Sequence, residues 1–367
     1  MRILIDARLY GPVHTGIGRY SQNLIENLVK INHSHELVLI THKDAQISSK
    51  SNLKVIKTEI RHYGFAEQLK LYKLISSYNP DLVHFTHFNH PILYNRPFIV
   101  TIHDLIKSDY KDYSSSTRTK PYYEIKHFFY QRVINHAILR SKAIITPSNF
   151  SKSRIVSHYP TVNERKINVI YEGIDEFKQI SIKKILDQNI YSKYKNYCLF
   201  VGNSYPYKNL KVVIEAVSRI PQLRLIVVSK ENRTLNQIKS SVLNNKRFIF
   251  LENISDNELS ALYKYSKFFI FPSKSEGFGI PGLEAMVMGT PVISSNAGPM
   301  PEIYGQAAIY FDPEKVEDLI RVINSLLSNY QSERTKLLRL GKLQVKKYSW
   351  SKMAEETLKL YENSFSF

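Results

Sequence analysis

Cysteine is all but absent from the 367-residue chain: Cys198 stands alone. One thiol cannot form an intramolecular disulfide, which fits a reducing compartment. No run of 18 or more apolar residues occurs, so no spanning helix is expected and any membrane contact is expected to be peripheral. The opening Met1-Arg-Ile-Leu-Ile-Asp6 lacks an apolar stretch of signal-peptide length before Asp6 and Arg8, and a cytoplasmic protein is expected. Glycine and proline are sparse, 13 and 15 residues, which excludes collagen-like and low-complexity chains. Acidic residues number 32 against 51 Lys and Arg, leaving +19 at pH 7. That imbalance invites an anionic partner: nucleic acid, an acidic membrane face or a phosphorylated substrate. The bases are scattered and no nucleic-acid module accompanies them, so no nucleic acid is expected. Metal patterns are lacking as well: there are 12 histidines but no HExxH and no cysteine pair. His84, His87 and His90 are spaced by three, yet they leave a strand and need not converge. They read as cleft wall or plain loop, and no metal or other cofactor is expected.

Short apolar runs alternate with longer amphipathic stretches. Ile3–Ile5, Leu37–Ile40, Leu53–Ile56, Leu82–Phe85, Phe98–Ile102 and Ala143–Thr146 read as strands, with helical spacing over Ser21–Lys30 and Phe65–Tyr78. The polar stretch Lys178–Tyr194 reads as a linker, after which the pattern restarts. Tyr197–Val201, Leu223–Val228, Arg247–Leu251, Phe268–Phe271 and Pro291–Ser294 are the second set of strands, with helices between. This predicts an α/β protein of two Rossmann-like domains with parallel sheets, over 1–180 and 181–350, and a closing helix in 351–367 that packs back on the first domain. Ligands of open α/β sheets sit beyond the carboxyl ends of the strands, so the chemistry is expected in strand-to-helix loops facing a cleft. Oligomeric state is not legible.

The strongest local signal is Ser275-Glu276-Gly277-Phe278-Gly279-Ile280-Pro281-Gly282-Leu283-Glu284, after the strand Phe268–Phe271. Gly277 and Gly279 allow a tight turn and close backbone approach. Pro281 suits a helix start, whose amides and positive dipole end make an anion site. Glu284 is expected in the first turn, where a carboxylate is favoured. A phosphate on the amides and hydroxyls on two carboxylates describe a sugar nucleotide; the bland alternative is a capped loop with a helix-start glutamate.

Glu276 and Glu284, with Gly-Phe-Gly and Glu-Ala-Met, resemble the E-x7-E signature of retaining GT-B glycosyltransferases, and within them glycosyltransferase family 4. Pro291–Gly298, Pro301-Glu302 and Tyr348-Ser-Trp350 continue the resemblance over nearly the whole chain. It implies a hexosyltransferase acting on a nucleotide sugar. Glu276 and the amides of Gly277, Phe278, Gly279 and Ile280 would face the donor sugar, Glu284 the ribose and Lys208 the diphosphate. Many relatives carry a base directly after Gly202 and before Lys208; here these positions are Asn203 and Tyr207.

Asp6-Ala-Arg-Leu-Tyr-Gly-Pro-Val-His-Thr-Gly16-Ile-Gly18-Arg19-Tyr20 runs from the first strand, and Gly16 and Gly18 permit a phosphate to approach. A Gly-x-Gly is a weak signal by itself; it resembles the phosphate-side loop of relatives. Arg19 meets diphosphate, acceptor or only solvent. His103 resembles the family histidine at the donor sugar. Asp104 orients it, meets the acceptor or caps the next turn. Ser148 lines the acceptor side or caps a helix. The segment from Thr117 to Lys142 mixes bases with Tyr122, Tyr123, Phe128 and Phe129, and reads either as a face for an anionic bilayer or as an ordinary helix with a basic side.

The N-terminal loop most resembles bacterial mannosyltransferases of polysaccharide assembly. GDP-mannose is therefore the first expected donor and UDP-glucose or UDP-N-acetylglucosamine the second, with a glycan or lipid-linked acceptor. A nucleotide-sugar epimerase on the same fold would turn over donor without acceptor. A nucleic-acid-binding protein, suggested by charge alone, would show steep salt dependence.

Overall fold

The computed structural model describes residues 1–32, 34–64, 66–110, 120–174 and 196–365. Contacts divide the chain into two compact units: Met1–Ser108 with Arg118–Gly173 and Ser349–Phe367, and Asp109–Thr117 with Ile174–Tyr348. The expected linker Lys178–Tyr194, and with it the boundary at 180, lies outside the described residues, as do Phe65 and the side chains of Tyr122 and Tyr123.

The first unit holds a seven-stranded sheet. Its strands are β1 (Arg2–Ala7), β2 (Glu36–His42), β3 (Leu53–Thr58), β4 (Leu82–Phe85), β5 (Phe98–Thr101), β6 (Ala143–Thr146) and β7 (Ile167–Val169). They lie in the order β3-β2-β1-β4-β5-β6-β7, every pair parallel. Helices cover both faces of such a sheet, which is why its strands read as unbroken apolar runs; Ile3, Leu4 and Ile5 are fully buried. The helix Trp350–Phe365 belongs to this unit, and the Tyr361 hydroxyl lies 2.6 Å from His84 Nδ1 inside it.

The second unit holds β8 (Tyr197–Val201), β9 (Arg224–Val228), β10 (Phe248–Leu251), β11 (Phe268–Phe271), β12 (Val292–Ser295) and β13 (Ala308–Phe311), in the order β10-β9-β8-β11-β12-β13 and again all parallel. This is the doubly wound dinucleotide-fold order, and the strand order reverses between β8 and β11. In the first unit the reversal falls between β1 and β4. Each unit has its own apolar core, around Phe200, Val213, Ile270 and Ile323 in the second and around Leu4, Phe85, Val100 and Ile144 in the first.

The departures from the sequence pattern are local. β7 and β13 were not expected; both are short edge strands, and Asn168 interrupts one of them. The first helix begins at Thr15, not Ser21, and runs to Ile31. Glu67–Leu71 is a π-helical turn feeding the helix Tyr72–Ser77, in place of one regular helix. Among the described residues, no helix is long and apolar enough to cross a membrane.

Candidate functional site

In the second unit the loops leaving β8 and β11 meet where the strand order reverses. The β8 loop closes as a 3-10 turn, Pro206–Lys208, and Asn209 takes the left-handed conformation that starts the helix Leu210–Ser218. This presents Lys208 to the β11 loop, with Nζ 2.5 Å from Glu276 Oε1. Both side chains are mostly covered, at 16% and 12% exposure. The two loops are tied again by the Lys274 amide, which donates to the Tyr207 carbonyl at 2.8 Å. Thus Lys208 and Glu276, 68 residues apart, form one charged pair at the switch point.

Beyond Glu276 the backbone is shaped by rings. Gly279 has φ +105° and caps the helix Ile280–Val287. The Tyr304 hydroxyl donates to its carbonyl at 2.6 Å, and the Tyr304 ring lies where a Cβ on Gly282 would stand. Burial pushes the Tyr304 phenol well above its ordinary pKa, so it stays a donor. Phe278 is buried against Tyr348, with centroids 5.3 Å apart, so its side chain serves the core. Tyr304 was not singled out in the sequence; the glycine pair Gly279 and Gly282 was its only trace.

Glu284 corrects one expectation. It is the fifth residue of Ile280–Val287, past the first turn, so the dipole argument does not reach it. It is buried and accepts a hydrogen bond from the Tyr263 hydroxyl at 3.0 Å.

In the first unit the glycine loop is also redrawn. Gly16 and Gly18 sit inside the helix Thr15–Ile31. A Cβ on Gly18 would overlap the carbonyl oxygen of Gly11, and the Gly11 amide donates to the Gly18 carbonyl at 3.3 Å. Gly18 is thus required by the fold of residues 9–18 themselves. Gly16 has open space where a Cβ would be. Arg19 accepts at its carbonyl from the Asn23 side chain at 3.0 Å.

His103 follows β5 and is nearly enclosed. Nδ1 lies 3.2 Å from Glu172 Oε1, and Nε2 lies 3.1 Å from the Thr86 carbonyl oxygen. Burial works against the charged ring, but the Glu172 carboxylate, the Thr86 carbonyl and Asp104 together outweigh it and the His103 pKa is raised. Asp104 accepts the Ile106 amide at 3.0 Å, the turn-capping alternative. Ser148 is fully buried and caps the helix Asn149–His158, accepting the Ser151 amide at 3.1 Å. The structure therefore gives Ser148 the cap and encloses it away from the surface. Glu172 was not foreseen, because β7 before it is too short to announce a strand end.

All three histidines are buried, His84 on β4 and His87 and His90 in the loop that follows it. His84 on β4 is bonded to Tyr361 and Thr101; His90 lies 2.9 Å from both the Phe88 carbonyl and His136. His87 is buried with its Nδ1 3.3 Å from the Asn89 amide. Behind them Arg8 forms a buried network. It donates to both Asp6 oxygens at 2.8 and 2.7 Å and to Glu67 Oε1 at 2.6 Å, while Asn89 donates to Glu67 at 2.7 Å. Burial alone would neutralise Asp6, but the Arg8 guanidinium holds its carboxyl below the usual range.

The chain resembles known proteins in sequence and in fold. Residues 14–176 match the family described as Glycosyltransferase Family 4, and residues 181–342 match Glycosyl transferases group 1. The chain is 25% identical to O-antigen chain mannosyltransferase B of Escherichia coli, over 95% of this chain and 96% of that one. It is 28% identical to O-antigen chain mannosyltransferase RfbU of Salmonella typhimurium, over 75% and 76%. Among solved structures, sucrose-phosphate synthase from Thermosynechococcus elongatus superposes with TM-score 0.76 at 18% identity, covering 100% and 99% of the two chains. Anabaena HepE in complex with UDP and glucose gives 0.75 at 16% identity, covering 99% and 100%.

Proposed function

The chain belongs to the family 4, group 1 glycosyltransferases of GT-B fold, and from that premise we propose that it transfers mannose from GDP-mannose to a hydroxyl of a glycan, with retention of anomeric configuration. The observation that carries the reading is the Lys208–Glu276 pair at the switch point of the second unit, beside the start of the helix Ile280–Val287. A sugar diphosphate needs positive charge at its phosphates and a hydrogen-bonding carboxylate at its sugar, and this loop pair offers both.

In this reading the second unit holds the donor. Glu284 takes the nucleoside ribose, and the Gly277–Ile280 amides face the sugar. Lys208 and the helix amides take the diphosphate. As the sugar–phosphate bond breaks, negative charge grows on the leaving phosphate, and a preorganised ammonium stabilises it. Glu276 positions the sugar and steadies Lys208. The acceptor hydroxyl attacks from the leaving-group side and gives its proton to the departing phosphate. His103 serves the sugar end, and Arg19 and Asp104 the acceptor. Because a lysine and a helix start supply the charge, transfer is proposed to need no metal. Chelation by EDTA is expected to leave the rate unchanged.

The mannosyl choice is supported by the relatives in Escherichia coli and Salmonella, which are named O-antigen chain mannosyltransferases and so also favour a lipid-linked or polysaccharide acceptor. An anionic membrane is the proposed support for such an acceptor. Ile125, Phe128 and Phe129 are exposed on the helix Lys120–Arg140, alongside Lys126 and Arg132. Flotation with vesicles containing anionic lipid is expected to carry the protein, and neutral vesicles to leave it behind.

The donor test is a thermal-shift titration with GDP-mannose, GDP, UDP-glucose, UDP-N-acetylglucosamine and UDP. Ligand at a hundred times its Kd adds about 2.7 kcal/mol of stability. A rise with the guanine nucleotides alone is expected. A rise with the uridine compounds alone replaces the donor and keeps the site.

A further inference from the structure

His103 lies between two oxygens that can only accept. A neutral imidazole has one N–H and one lone pair, so it satisfies one acceptor and turns a lone pair toward the other. Here Nδ1 faces a Glu172 carboxylate oxygen at 3.2 Å and Nε2 faces the Thr86 carbonyl at 3.1 Å. With Glu172 ionised, both contacts are hydrogen bonds together only if both nitrogens carry protons. The pair is also well enclosed, with side-chain exposures of 11% and 8%. A buried carboxylate opposite a buried imidazole favours the ion pair over two isolated charges.

The neighbours agree. Asp104, on the same loop, adds negative charge. Tyr20 on the first helix meets the His103 ring edge-on at 4.7 Å, and burial raises its phenol pKa, so it stays neutral. His84 on β4 and His87 beyond it are pushed below their ordinary values, first by burial and then by the charge of His103, so they add no competing charge. The loop itself is held: the Ser151 hydroxyl donates to the His103 carbonyl at 3.2 Å. Gly173, next to Glu172, leaves no room for a Cβ against Trp350, which fixes the backbone carrying the carboxylate.

We propose that Glu172 is a positioning residue that holds His103 as an imidazolium, with both ring N–H groups committed to Glu172 and Thr86, so that His103 is not a proton acceptor. Any role of the His103 ring at the sugar end rests on the reading above. The protonation state does not.

The test is ring ¹⁵N NMR of the full chain with labelled histidine, titrated from pH 5 to 9, with the His103 signal assigned by its loss in His103→Gln. In the wild type His103 is expected to stay doubly protonated past the ordinary midpoint of about 6.5. Glu172→Gln keeps the shape and removes the charge; its midpoint is expected to fall by about one pH unit or more, below 6.5, because burial then dominates. Glu172→Asp is expected to restore much of the shift. A wild-type His103 that is neutral at pH 7, or a midpoint unmoved in Glu172→Gln, overturns the proposal. If Glu172→Gln fails to fold, the wild-type titration still decides. A protein without transferase activity but with the expected titration would sink the functional reading and leave this assignment standing.

Discussion

The second unit keeps its charged pair at the switch point, on loops that open from strand ends: Lys208 and Glu276 retain 16% and 12% exposure. In the first unit, the groups around the corresponding reversal are charged and shut away. Arg8 and Glu67 are at most 1% exposed, and Asp6 is at 3%. The contrast extends to composition. All 12 histidines fall between His14 and His158, and none follows. Two parallel sheets of nearly the same strand order thus carry different electrostatics. The Lys208–Glu276 pair keeps some exposure and is the one proposed to meet a ligand. A closed network has already used its hydrogen bonds and serves mainly to hold loop geometry.

The comparison can be probed with two natural reporters. The only tryptophan, Trp350, belongs to the first unit, and the only cysteine, Cys198, is buried in β8 of the second. Tryptophan fluorescence follows one unit and thiol labelling the other.

Acid is expected to give the largest effect. Burial lowers His62 to about 4, His84 to about 3 and His90 to about 4. Each is neutral in the fold and protonates near 6.5 when unfolded. Their contribution is therefore complete above 6.5 and drains away as pH falls toward 4, on the order of one to three kcal/mol for each. Urea midpoints by Trp350 fluorescence should drop steeply between pH 7 and 4.5, and those by Cys198 labelling much less. Equal drops would erase the distinction between the units.

Arg8→Ala comes next. It strands Asp6 and Glu67 without their cation, at a cost of about 3–5 kcal/mol. The loss should appear in the Trp350 transition. A variant as stable as the wild type would mean that the network contributes nothing.

Lys208→Ala and Glu276→Ala test the open pair. Each should lower turnover at saturating donor by about a hundredfold or more and leave both unfolding transitions nearly in place. Near-normal turnover in either removes that residue from the site.

Gly282→Ala is the smallest. Its methyl group would press into the Tyr304 ring, and overpacking of this kind costs about 1–3 kcal/mol. Cys198 should become accessible at lower urea, with Trp350 unmoved. No change would show that Tyr304 can swing aside and does not shape the loop.

The alternation of apolar runs was enough to place the central strands, because a strand buried on both faces must be apolar throughout. It missed two edge strands: β7, three residues long and interrupted by Asn168, and β13, whose Ala-Ile-Tyr-Phe is only half-buried at its centre. In the second unit Gly279 and Pro281 marked the turn and helix start correctly, since φ +105° is a local property that favours glycine. In the first unit Gly18 misled: a glycine that admits a ligand and one that admits the chain's own carbonyl look alike in sequence. Glu284 was legible as a site candidate, while its Tyr263 partner was not.

By itself, then, the sequence determined the α/β class with its two parallel sheets, the turn at Gly279 with the helix start after it, and the excess of positive charge, because these depend on residue type and short-range spacing. Only the tertiary structure decided which groups meet across the chain: Lys208 with Glu276, Tyr304 with Gly279, Arg8 with Glu67, and His103 with Glu172. Those pairs join residues 25 to 69 positions apart. No local spacing rule reaches that far, and it is the stacking of parallel strands that brings their loops to the same end of a sheet.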